Sequence, residues 1–305
     1  MVTVRELSGM FKIAGSLTFD EPMAAHTSFR IGGTADLFIT PAGAADAVEV
    51  LRRCAEHSLP LFVLGGGTNL LVSDRGIRGV VLDLSRLTGI RAEGNRLTAH
   101  AGTPISDVAE FALRQGLSGL EFAYALPGSV GGAVWMNARC YGSEVSDVLE
   151  GVDYLQGPPY ETQHYRMNRA DWDYKKSPFQ DSGRIVLSAS FLLSRGEPAP
   201  MEERMKSFRT DREKKGHFLH PCAGSVFKNN RSFGAPSGRL IDSLGLKGTR
   251  MGDAQVAPFH GNIFINVGAA RAADMRALME RVEAEVHRRL GFRLEREVIL
   301  VGEWD

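Results

Sequence analysis

Two clusters of glycine interrupt apolar, strand-like segments of this chain, and they constrain its fold more than any other feature. The first, GGGTN (Gly65–Asn69), directly follows the apolar run LFVL. The second lies in ALPGSVGGAVWMNARCYGSE (Ala125–Glu144), where four glycines follow Pro127. Glycines adopt backbone conformations closed to other residues, and they let N–H groups approach a bound anion closely. The clusters therefore favour backbone–ligand contacts, with a tight turn and a bulged strand pair as the alternatives.

The residues after GGGTN separate this loop from the two commonest nucleotide-binding loops. A strand-like segment, LLVS, follows the glycines, whereas the G-x-G-x-x-G dinucleotide fingerprint opens a helix. The G-K-[ST] ending of a P-loop does not occur here either. An anion-binding loop of another kind remains open.

Charge and composition exclude several functional classes. Lys plus Arg number 36, and Asp plus Glu also number 36, so the formal net charge is zero. A protein that binds nucleic acid through many phosphate contacts needs a basic surface, so we expect no nucleic-acid partner. No apolar run approaches the roughly 18 residues of a membrane span, and the first residues lack a signal-peptide pattern. We therefore expect a cytoplasmic protein without a membrane segment.

Apolar periodicity predicts a mixed α+β protein in two lobes rather than a regular βαβ series. The Pro- and Gly-bearing segment Leu193–Pro200 is the expected boundary between the lobes. Helices are predicted over Ala44–Ser58, Pro104–Gln115 and Ala270–Leu290, with another that contains Met201, Met205 and Phe208. Strands are predicted over Ala35–Pro41, Leu61–Gly67, Leu70–Ser73, Gly79–Leu84, Arg96–Gly102 and Leu294–Gly302.

Two polar segments of the second half are candidates for chemistry. In HPCAGSVFKNN (His220–Asn230), Ser225 precedes Lys228 by three residues, which suits a proton donor or an anion site but also an ordinary turn. Glu295 and Glu297 are two residues apart in the last predicted strand, so we expect them on one side of it. On a buried side they would need a partner or a function, and on the solvent side they would be ordinary surface. No His or Cys spacing suits a metal site.

Taken together, these segments resemble the UDP-N-acetylenolpyruvoylglucosamine reductase family, whose members are flavin enzymes of peptidoglycan precursor synthesis. Six segments match in the family order and cover nearly the whole chain, and the length is similar to the shorter form of the family, which lacks an extra substrate-covering insertion. The segments are His26–Phe38, Leu64–Val81, Gly116–Ala138, Ala223–Asn230, Ser237–Gly248 and Leu294–Val298.

The resemblance implies an FAD-binding lobe of the PCMH/vanillyl-alcohol-oxidase type over residues 1–196, made of two subdomains. It implies an α+β substrate-binding lobe over residues 197–305. FAD would be bound non-covalently, NADPH would be the co-substrate, and UDP-N-acetylglucosamine enolpyruvate would be the substrate. NADPH would reduce FAD, and the substrate would then take the hydride and become UDP-N-acetylmuramate. We expect the enzyme to be a monomer.

The resemblance also implies roles for individual residues. Ser225 would donate a proton to the carbon beside the substrate carboxylate, and Glu297 would polarise the enolate or carboxylate side, with Lys175 as the third catalytic residue. GGGTN would hold the FAD pyrophosphate, and Gly128–Ala133 would line the flavin. The implied FAD-binding residues are Arg30, Ile31, Gly65, Gly66, Gly67, Thr68, Asn69, Leu70, Gly102, Pro127, Gly128, Ser129, Gly131, Gly132, Ala133 and Asn137. The implied substrate-binding residues are Tyr174, Lys215, Lys228, Asn229, His260 and Asn262.

Three segments depart from the family pattern, and one of them is KNN (Lys228–Asn230), which stands in place of Lys-Asn-Pro and keeps Asn229. In YKKSPFQ, Lys175 stands where the family usually has an arginine, and lysine lacks the planar fork that binds a carboxylate through two bonds. Arg139 in NARCYG, where a smaller residue is common, is the other candidate for a guanidinium. KKGHFLHP (Lys214–Pro221) replaces a Gln-Pro that the family often has. Two alternatives remain open: an oxidase of the wider flavin superfamily, and a flavin- or nucleotide-binding protein weakened at Lys175.

Overall fold

The computed structural model describes residues 8–304 of the chain. These residues form six α-helices and nineteen β-strands. The helices are Ala44–Glu56 (α1), Ile105–Arg114 (α2), Val130–Trp135 (α3), Pro198–Lys214 (α4), Ser237–Ser243 (α5) and Ala272–Leu290 (α6). The strands are Ser16–Pro22 (β1), Thr34–Thr40 (β2), Leu61–Leu64 (β3), Leu70–Val72 (β4), Ile77–Asp83 (β5), Ile90–Glu93 (β6), Arg96–His100 (β7), Leu117–Ser118 (β8), Arg139–Cys140 (β9), Ser143–Glu144 (β10), Leu149–Gln156 (β11), Glu161–Arg166 (β12), Ile185–Leu192 (β13), Ser194–Arg195 (β14), Cys222–Ser225 (β15), Arg250–Met251 (β16), Ala254–Val256 (β17), Ile263–Asn266 (β18) and Ile299–Val301 (β19).

The chain folds into two compact units, and neither is contiguous in sequence. The first unit contains the described residues up to Phe19, then Leu37–Gly66 and Gly79–Thr210. The second contains Asp20–Asp36, Gly67–Arg78 and the residues from Asp211 onward. The division therefore falls inside GGGTN, between Gly66 and Gly67. The functional boundary at residues 196/197 stays a prediction.

The first unit has two cores. An antiparallel sheet in the order β12-β11-β13-β7-β6 carries α3 on β13 and β7, and buries Phe191, Ala189 and Leu97. The other core lies beside β3 and β5, which pair in parallel, and there α1 buries one face that includes Val50 and Leu51. Since β3 ends at Leu64, the first glycine cluster directly follows this strand.

The second unit has its own core around α6. The apolar stripe of that helix, Met275 to Val286, is buried in one cluster with Phe227 and Phe264. The helix ends at Gly291, whose φ of 76° is the left-handed conformation that suits glycine after a last helical turn. An antiparallel sheet in the order β15-β18-β17-β16 and the parallel pair β19–β4 complete the unit.

The apolar patterns predicted the helices α1, α2, α4 and α6 and the strands β2, β3, β4, β5 and β7, all of which are confirmed. The last predicted strand is wrong in its first half, because β19 begins at Ile299 rather than at Leu294. Residues 294–298 instead make single hydrogen bonds and one isolated bridge, between Arg296 and Phe227. Glu295 and Glu297 therefore lie outside the strand, and the alternation of side chains along a strand does not apply to them. No helix within residues 8–304 is both long and apolar enough to span a bilayer.

Candidate active site

The two glycine clusters meet backbone to backbone within the first unit. Gly65 and Gly66 follow β3 and pack on Gly128 and Ser129. A Cβ atom at Gly66 would lie 2.7 Å from the Gly128 Cα and 3.0 Å from the Ser129 nitrogen, and one at Gly65 would lie 2.8 Å from the Ser129 Oγ. These separations are too short for non-bonded atoms, so glycine is required for the two loops to touch.

The second glycine cluster is also fixed by residues at the start of α3. Ser129 Oγ accepts a hydrogen bond from the Gly132 amide at 3.3 Å and so caps the helix. The Gly131 amide donates to the Ala101 carbonyl at 2.8 Å, and a Cβ at Gly131 would lie 3.1 Å from the Ala101 Cβ. The predicted contacts Ser129, Gly131 and Gly132 thus belong to one rigid turn.

Three amides at this junction fit the cofactor that the resemblance implies. Within residues 8–304, the backbone N–H groups of Gly66, Gly128 and Ser129 make no hydrogen bond. Neighbouring unpaired N–H groups form a concavity that attracts anions, because each carries a fixed partial positive charge. The pyrophosphate of FAD offers oxygen acceptors for such donors. These residues are therefore suited to hold it.

Two other residues of the predicted FAD set have packing roles in the first unit. A Cβ at Gly102 would lie 2.1 Å from the Leu84 carbonyl oxygen, so glycine is needed there for packing. Asn137 is fully buried, its Nδ2 donates to the Asp173 carbonyl at 3.0 Å, and its Oδ1 accepts from the Ser146 amide at 3.0 Å. The amide group of Asn137 is thus committed to the protein rather than offered to a ligand.

The rest of GGGTN lies in the second unit. Gly67 has a φ of 62°, and a Cβ there would lie 1.9 Å from the His26 carbonyl oxygen. Asn69 Nδ2 donates to the Glu297 carbonyl at 2.9 Å, and the Ile299 amide donates to the Asn69 carbonyl at 3.0 Å. Asn69, the last residue of GGGTN, is therefore hydrogen-bonded to Glu297 and Ile299 near the end of the chain.

The HTSFR segment is held in the same unit. Arg30 is exposed with a φ of 55°, and its amide donates to the Thr27 carbonyl at 3.0 Å. Ile31 is buried, and its amide donates to the Thr27 Oγ1 at 3.3 Å. Asn266 Nδ2 donates to the Phe29 carbonyl at 3.1 Å. The predicted FAD contacts Arg30 and Ile31 thus sit on a turn whose shape is set from within the unit.

The second unit also brings together the predicted proton donor and the predicted glutamate. The amide of Glu297 donates to the carbonyl of Val226, the residue after Ser225, at 2.7 Å. The Lys228 amide donates to the Glu295 carbonyl at 2.8 Å. The segment after Ser225 therefore runs beside residues 295–297, although 70 residues separate the two segments in sequence.

The two glutamates of this segment differ in their surroundings. The side chain of Glu295 is 71% exposed, and its Oε1 lies 2.6 Å from the Lys228 Nζ. Lys228, the sequence-predicted neighbour of Ser225, is therefore in an ion pair with a surface carboxylate. Glu297 is only half-buried, and its backbone joins both Val226 and Asn69. Backbone hydrogen bonds thus join Glu297 both to the segment after Ser225 and to Asn69 of the first glycine motif.

Asn262 holds the chain next to Ser225. Its side chain is almost fully buried, with Nδ2 donating to the Phe227 carbonyl at 2.8 Å and Oδ1 accepting from the Phe227 amide at 2.9 Å. Its own carbonyl accepts from the Val226 amide at 2.9 Å. Both polar atoms of the Asn262 side chain are therefore hydrogen-bonded to backbone, which gives Asn262 a positioning role beside Ser225, and its substrate contact stays a prediction. His260 Nδ1 accepts from the Asn262 amide at 3.1 Å.

The remaining predicted substrate contacts of this unit lie on its loops. Asn229 Oδ1 accepts from the Ser237 amide at 2.9 Å at the start of α5, and Lys215 Nζ lies 2.6 Å from the Asp211 Oδ2. The half-buried His217 ring stands 6.3 Å from the His260 ring, centroid to centroid. No sequence pattern marks His217, because a lone histidine has no periodicity or ligand spacing.

Burial gives both histidines low pKa values. Burial, aided by the nearby charge of Arg212, lowers the pKa of His217 to about 4. Burial and the nearby charge of Lys215 also lower the pKa of His260. Both rings are therefore neutral near pH 7, although they lie among cations.

The first unit places Tyr174 and Lys175 on a clamped loop. Lys175 has a φ of 59°, and its carbonyl accepts from the Gln180 Nε2 at 3.1 Å. Gln180 Nε2 and Ser177 Oγ also donate to the Trp135 carbonyl, at 2.9 and 2.7 Å. The loop is thus tied to the end of α3, the helix that begins in the second glycine cluster.

Comparisons with known proteins agree with this arrangement. Residues 35–158 match the family described as FAD binding domain, which includes the paired glycine loops. Residues 215–301 match the C-terminal domain of UDP-N-acetylenolpyruvoylglucosamine reductase, which includes Ser225 and Glu297. The predicted α+β fold with an FAD-binding lobe is therefore confirmed.

Full-length relatives extend the match to nearly the whole chain. The chain is 43% identical to UDP-N-acetylenolpyruvoylglucosamine reductase of Treponema denticola over 306 aligned residues, covering 95% of each protein. It is 42% identical to the protein of the same name from Rubrobacter xylanophilus, covering 93% of this chain and 95% of that one. The crystal structure of the reductase from Thermus caldophilus superposes with a TM-score of 0.79 at 32% identity, over 94% of this chain and 99% of that one. The chain therefore belongs to the UDP-N-acetylenolpyruvoylglucosamine reductase family of FAD-dependent oxidoreductases.

Proposed function

We propose that this protein reduces UDP-N-acetylglucosamine enolpyruvate to UDP-N-acetylmuramate, with NADPH as the electron donor. The observation that carries the proposal is the hydrogen bond from the Glu297 amide to the Val226 carbonyl. It brings the backbone of Glu297 beside Val226, the residue after Ser225, so the two residues that the resemblance implies as proton donor and glutamate lie on adjacent backbone segments. Family membership supports the choice of substrate.

FAD held by the paired glycine loops would supply hydride transfer, with NADPH as the source of the hydride. When the terminal vinyl carbon of the substrate gains the hydride, negative charge develops on the carbon beside the carboxylate. Ser225 Oγ donates a proton to that carbon, and Glu297 orients the groups around the developing charge. The C=C bond becomes a single bond, and NADP⁺ is the oxidised product.

The chain offers separate groups for binding. The amides of Gly66, Gly128 and Ser129 would hold the FAD pyrophosphate. We propose that Lys215, Asn229 and His260 contact the nucleotide sugar, together with Tyr174 and Lys228, because most of these side chains are cations or donors suited to a diphosphate.

We extend the proposal to the setting of the enzyme. It would act as a cytoplasmic monomer in peptidoglycan precursor synthesis, and so serve cell-wall biogenesis, cell shape and cell division. The flavin would be held without a covalent bond. Release of free FAD on denaturation checks that last point, and a flavin-bearing peptide would contradict it.

An anaerobic half-reaction series tests the proposed reaction and the role of Ser225. We expect NADPH to bleach the flavin absorbance of the wild-type protein, and UDP-N-acetylglucosamine enolpyruvate to restore it. Ser225→Ala should be bleached at the wild-type rate but be reoxidised about 10²- to 10⁴-fold more slowly, because only the second half-reaction needs the proton. Ser243→Ala is the matched control, since the Ser243 hydroxyl bonds only the Leu240 carbonyl of its own helix.

Each other outcome rejects a part of the proposal. Bleaching of wild type without recovery would reject the substrate, and rapid oxygen consumption with a small alcohol or lactone would then indicate an oxidase. A bound flavin that NADPH does not reduce would reject the electron donor and indicate a weakened flavin protein. Equal slowing of both half-reactions in Ser225→Ala would reject Ser225 as the proton donor.

A further inference from the structure

A small hairpin in the first unit presents a guanidinium to the loop that carries Tyr174 and Lys175. Strands β9 and β10 pair Arg139 with Glu144 across the hairpin. The Arg139 Cζ lies 5.7 Å from the centroid of the Tyr174 ring. Lys175 follows Tyr174 directly in sequence. Arg139 is thus in contact with the ring of Tyr174, the residue that precedes Lys175.

The hairpin is firmly anchored at its turn. The ring of Tyr141 stacks on Phe208 with centroids 4.0 Å apart and planes 7° from parallel, and its hydroxyl donates to the Phe208 carbonyl at 2.9 Å. At the other end, the Glu144 amide donates to the Asp147 Oδ2 at 2.9 Å. The backbone of Arg139 is therefore held in place independently of its own side chain.

The guanidinium of Arg139 has donors to offer. Within residues 8–304, it makes no hydrogen bond, and its nearest acid contact is the Glu144 Oε2 at 3.6 Å from NH1. Glu144 is already balanced, because its Oε1 accepts from Ser146 Oγ at 2.9 Å and from Arg169 NH2 at 2.8 Å. The Arg139 side chain is 33% exposed, so a ligand can reach it.

We infer that Arg139 binds the carboxylate of the enolpyruvyl group through two parallel N–H···O bonds, with Lys175 as a second cation. The inference rests on the proposed function. A planar guanidinium matches a carboxylate in two bonds, which the single ammonium of Lys175 does not. Contact with the Tyr174 ring favours one orientation of the guanidinium plane of Arg139. Charge placed at the carboxylate also stabilises the anion that forms on the adjacent carbon.

The test compares two ligands in variants of the holoenzyme. Arg139→Ala should slow reoxidation by UDP-N-acetylglucosamine enolpyruvate and weaken its binding about 100-fold, which is the loss expected for hydrogen bonds between charged groups. Reduction of the flavin by NADPH should stay at the wild-type rate. Binding of UDP-N-acetylglucosamine, which lacks the enolpyruvyl carboxylate, should be unchanged. Arg139→Lys keeps the positive charge and much of the packing but lacks the planar fork. We expect its affinity for UDP-N-acetylglucosamine enolpyruvate to fall about 10-fold.

Two rescues separate a ligand contact from a packing role. Added guanidinium ion should speed reoxidation of Arg139→Ala, and Lys175→Arg introduced into that variant should restore part of its activity by supplying a fork from the next loop. Arg114→Ala removes an arginine that is 62% exposed on α2, and it should change neither half-reaction nor respond to guanidinium.

The results that overturn the inference are distinct from those that overturn the proposed function. Equal weakening of both ligands in Arg139→Ala, or unchanged reoxidation, would reject the carboxylate contact while wild type still turns over. Failure of the wild-type protein to be reoxidised would reject the proposed function instead.

Discussion

The paired glycine loops of the first unit and the Ser225 segment of the second are built from different parts of the chain. The first places backbone amides of Gly66, Gly128 and Ser129 side by side, and its geometry depends on the absence of side chains. The second places side chains around a strand end, and Asn262 and the backbone of Glu297 fix their positions. A region made of amides does not titrate, whereas one made of side chains carries a group such as His217 that takes up a proton at lower pH.

This difference predicts how each region fails. At Gly66 an added Cβ atom collides with the backbone of Gly128 and Ser129, which cannot move aside as a side chain can. Around Ser225, by contrast, a polar group can be removed while the fold remains, so chemistry is lost before structure. Substitutions in the two regions should therefore give different defects: loss of the cofactor in one, and slow chemistry with cofactor bound in the other.

The first prediction concerns the glycine junction, where loss of the cofactor would abolish both half-reactions. Gly66→Ala would place a methyl group 2.7 Å from the Gly128 Cα, so the two loops must separate. We expect the variant to be purified without flavin and its affinity for added FAD to fall about 100-fold or more, which corresponds to the upper part of the free-energy range for overpacking. Titration of the apoprotein with FAD, followed by flavin fluorescence, measures the change.

Gly43→Ala is the matched control for that variant. Gly43 precedes α1 in extended backbone, and a Cβ there would meet no atom within 4 Å. It should therefore keep its flavin. Wild-type FAD affinity in Gly66→Ala would show that the amides at this junction do not hold the cofactor.

Much of the first region could be predicted from the sequence. An apolar run before glycines predicts a strand followed by a close backbone approach, and both are observed at β3 and Gly66, although only Leu64 of the strand is fully buried. The information is local, because strand and loop are adjacent in the chain. The packing partners of Asn137 and Gly102 could not be predicted, since only the fold brings these residues next to Asp173 and Leu84.

Less of the second region could be predicted. Periodicity placed Glu295 and Glu297 on one side of a strand, yet the strand begins only at Ile299. The segment is shaped by hydrogen bonds to residues about 70 positions away, such as Val226, and no local pattern encodes them. The same holds for Asn262, whose amide reaches Phe227 across 35 residues.

The second prediction contrasts the two glutamates, whose changes to glutamine remove the same charge. Glu297→Gln should slow reoxidation by the enolpyruvyl substrate about 10²- to 10³-fold, because it removes the carboxylate proposed to orient the groups around the developing charge. Glu295→Gln breaks only an exposed ion pair with Lys228, and should change the rate by no more than a few-fold and the free energy of unfolding by less than about 1 kcal/mol. Stopped-flow reoxidation and urea unfolding provide the two measurements. Equal rates in the two variants would contradict the separate roles given to these residues.

The smallest expected effect uses pH to probe the side-chain region. Burial and the charges of Arg212, His260 and Lys215 lower the pKa of His217 to about 4 in the folded protein, and only Asp211 acts in the opposite direction. The unfolded chain takes up this proton near pH 6.5, whereas the folded protein does so only near pH 4. The contribution of neutral His217 to stability is therefore complete above pH 6.5 and is lost as the pH falls towards 4. Because the ring is partly exposed, solvent screening reduces the expected loss to about 1–2 kcal/mol.

The variant His217→Asn lacks this titration, so its free energy of unfolding should fall less than that of wild type between pH 7 and pH 4.5. At each pH the free energy of unfolding of His217→Asn is compared with that of wild type. The contributions of the carboxylates cancel in this comparison, because both proteins share them. His287→Gln, on the exposed face of α6, should follow the wild-type curve. Gly43→Ala changes no titratable side chain, so it should follow the wild-type curve as well. A His217→Asn curve parallel to wild type would mean that His217 is protonated at the same pH in the folded and unfolded chains, and that this loop is as open to water as the surface.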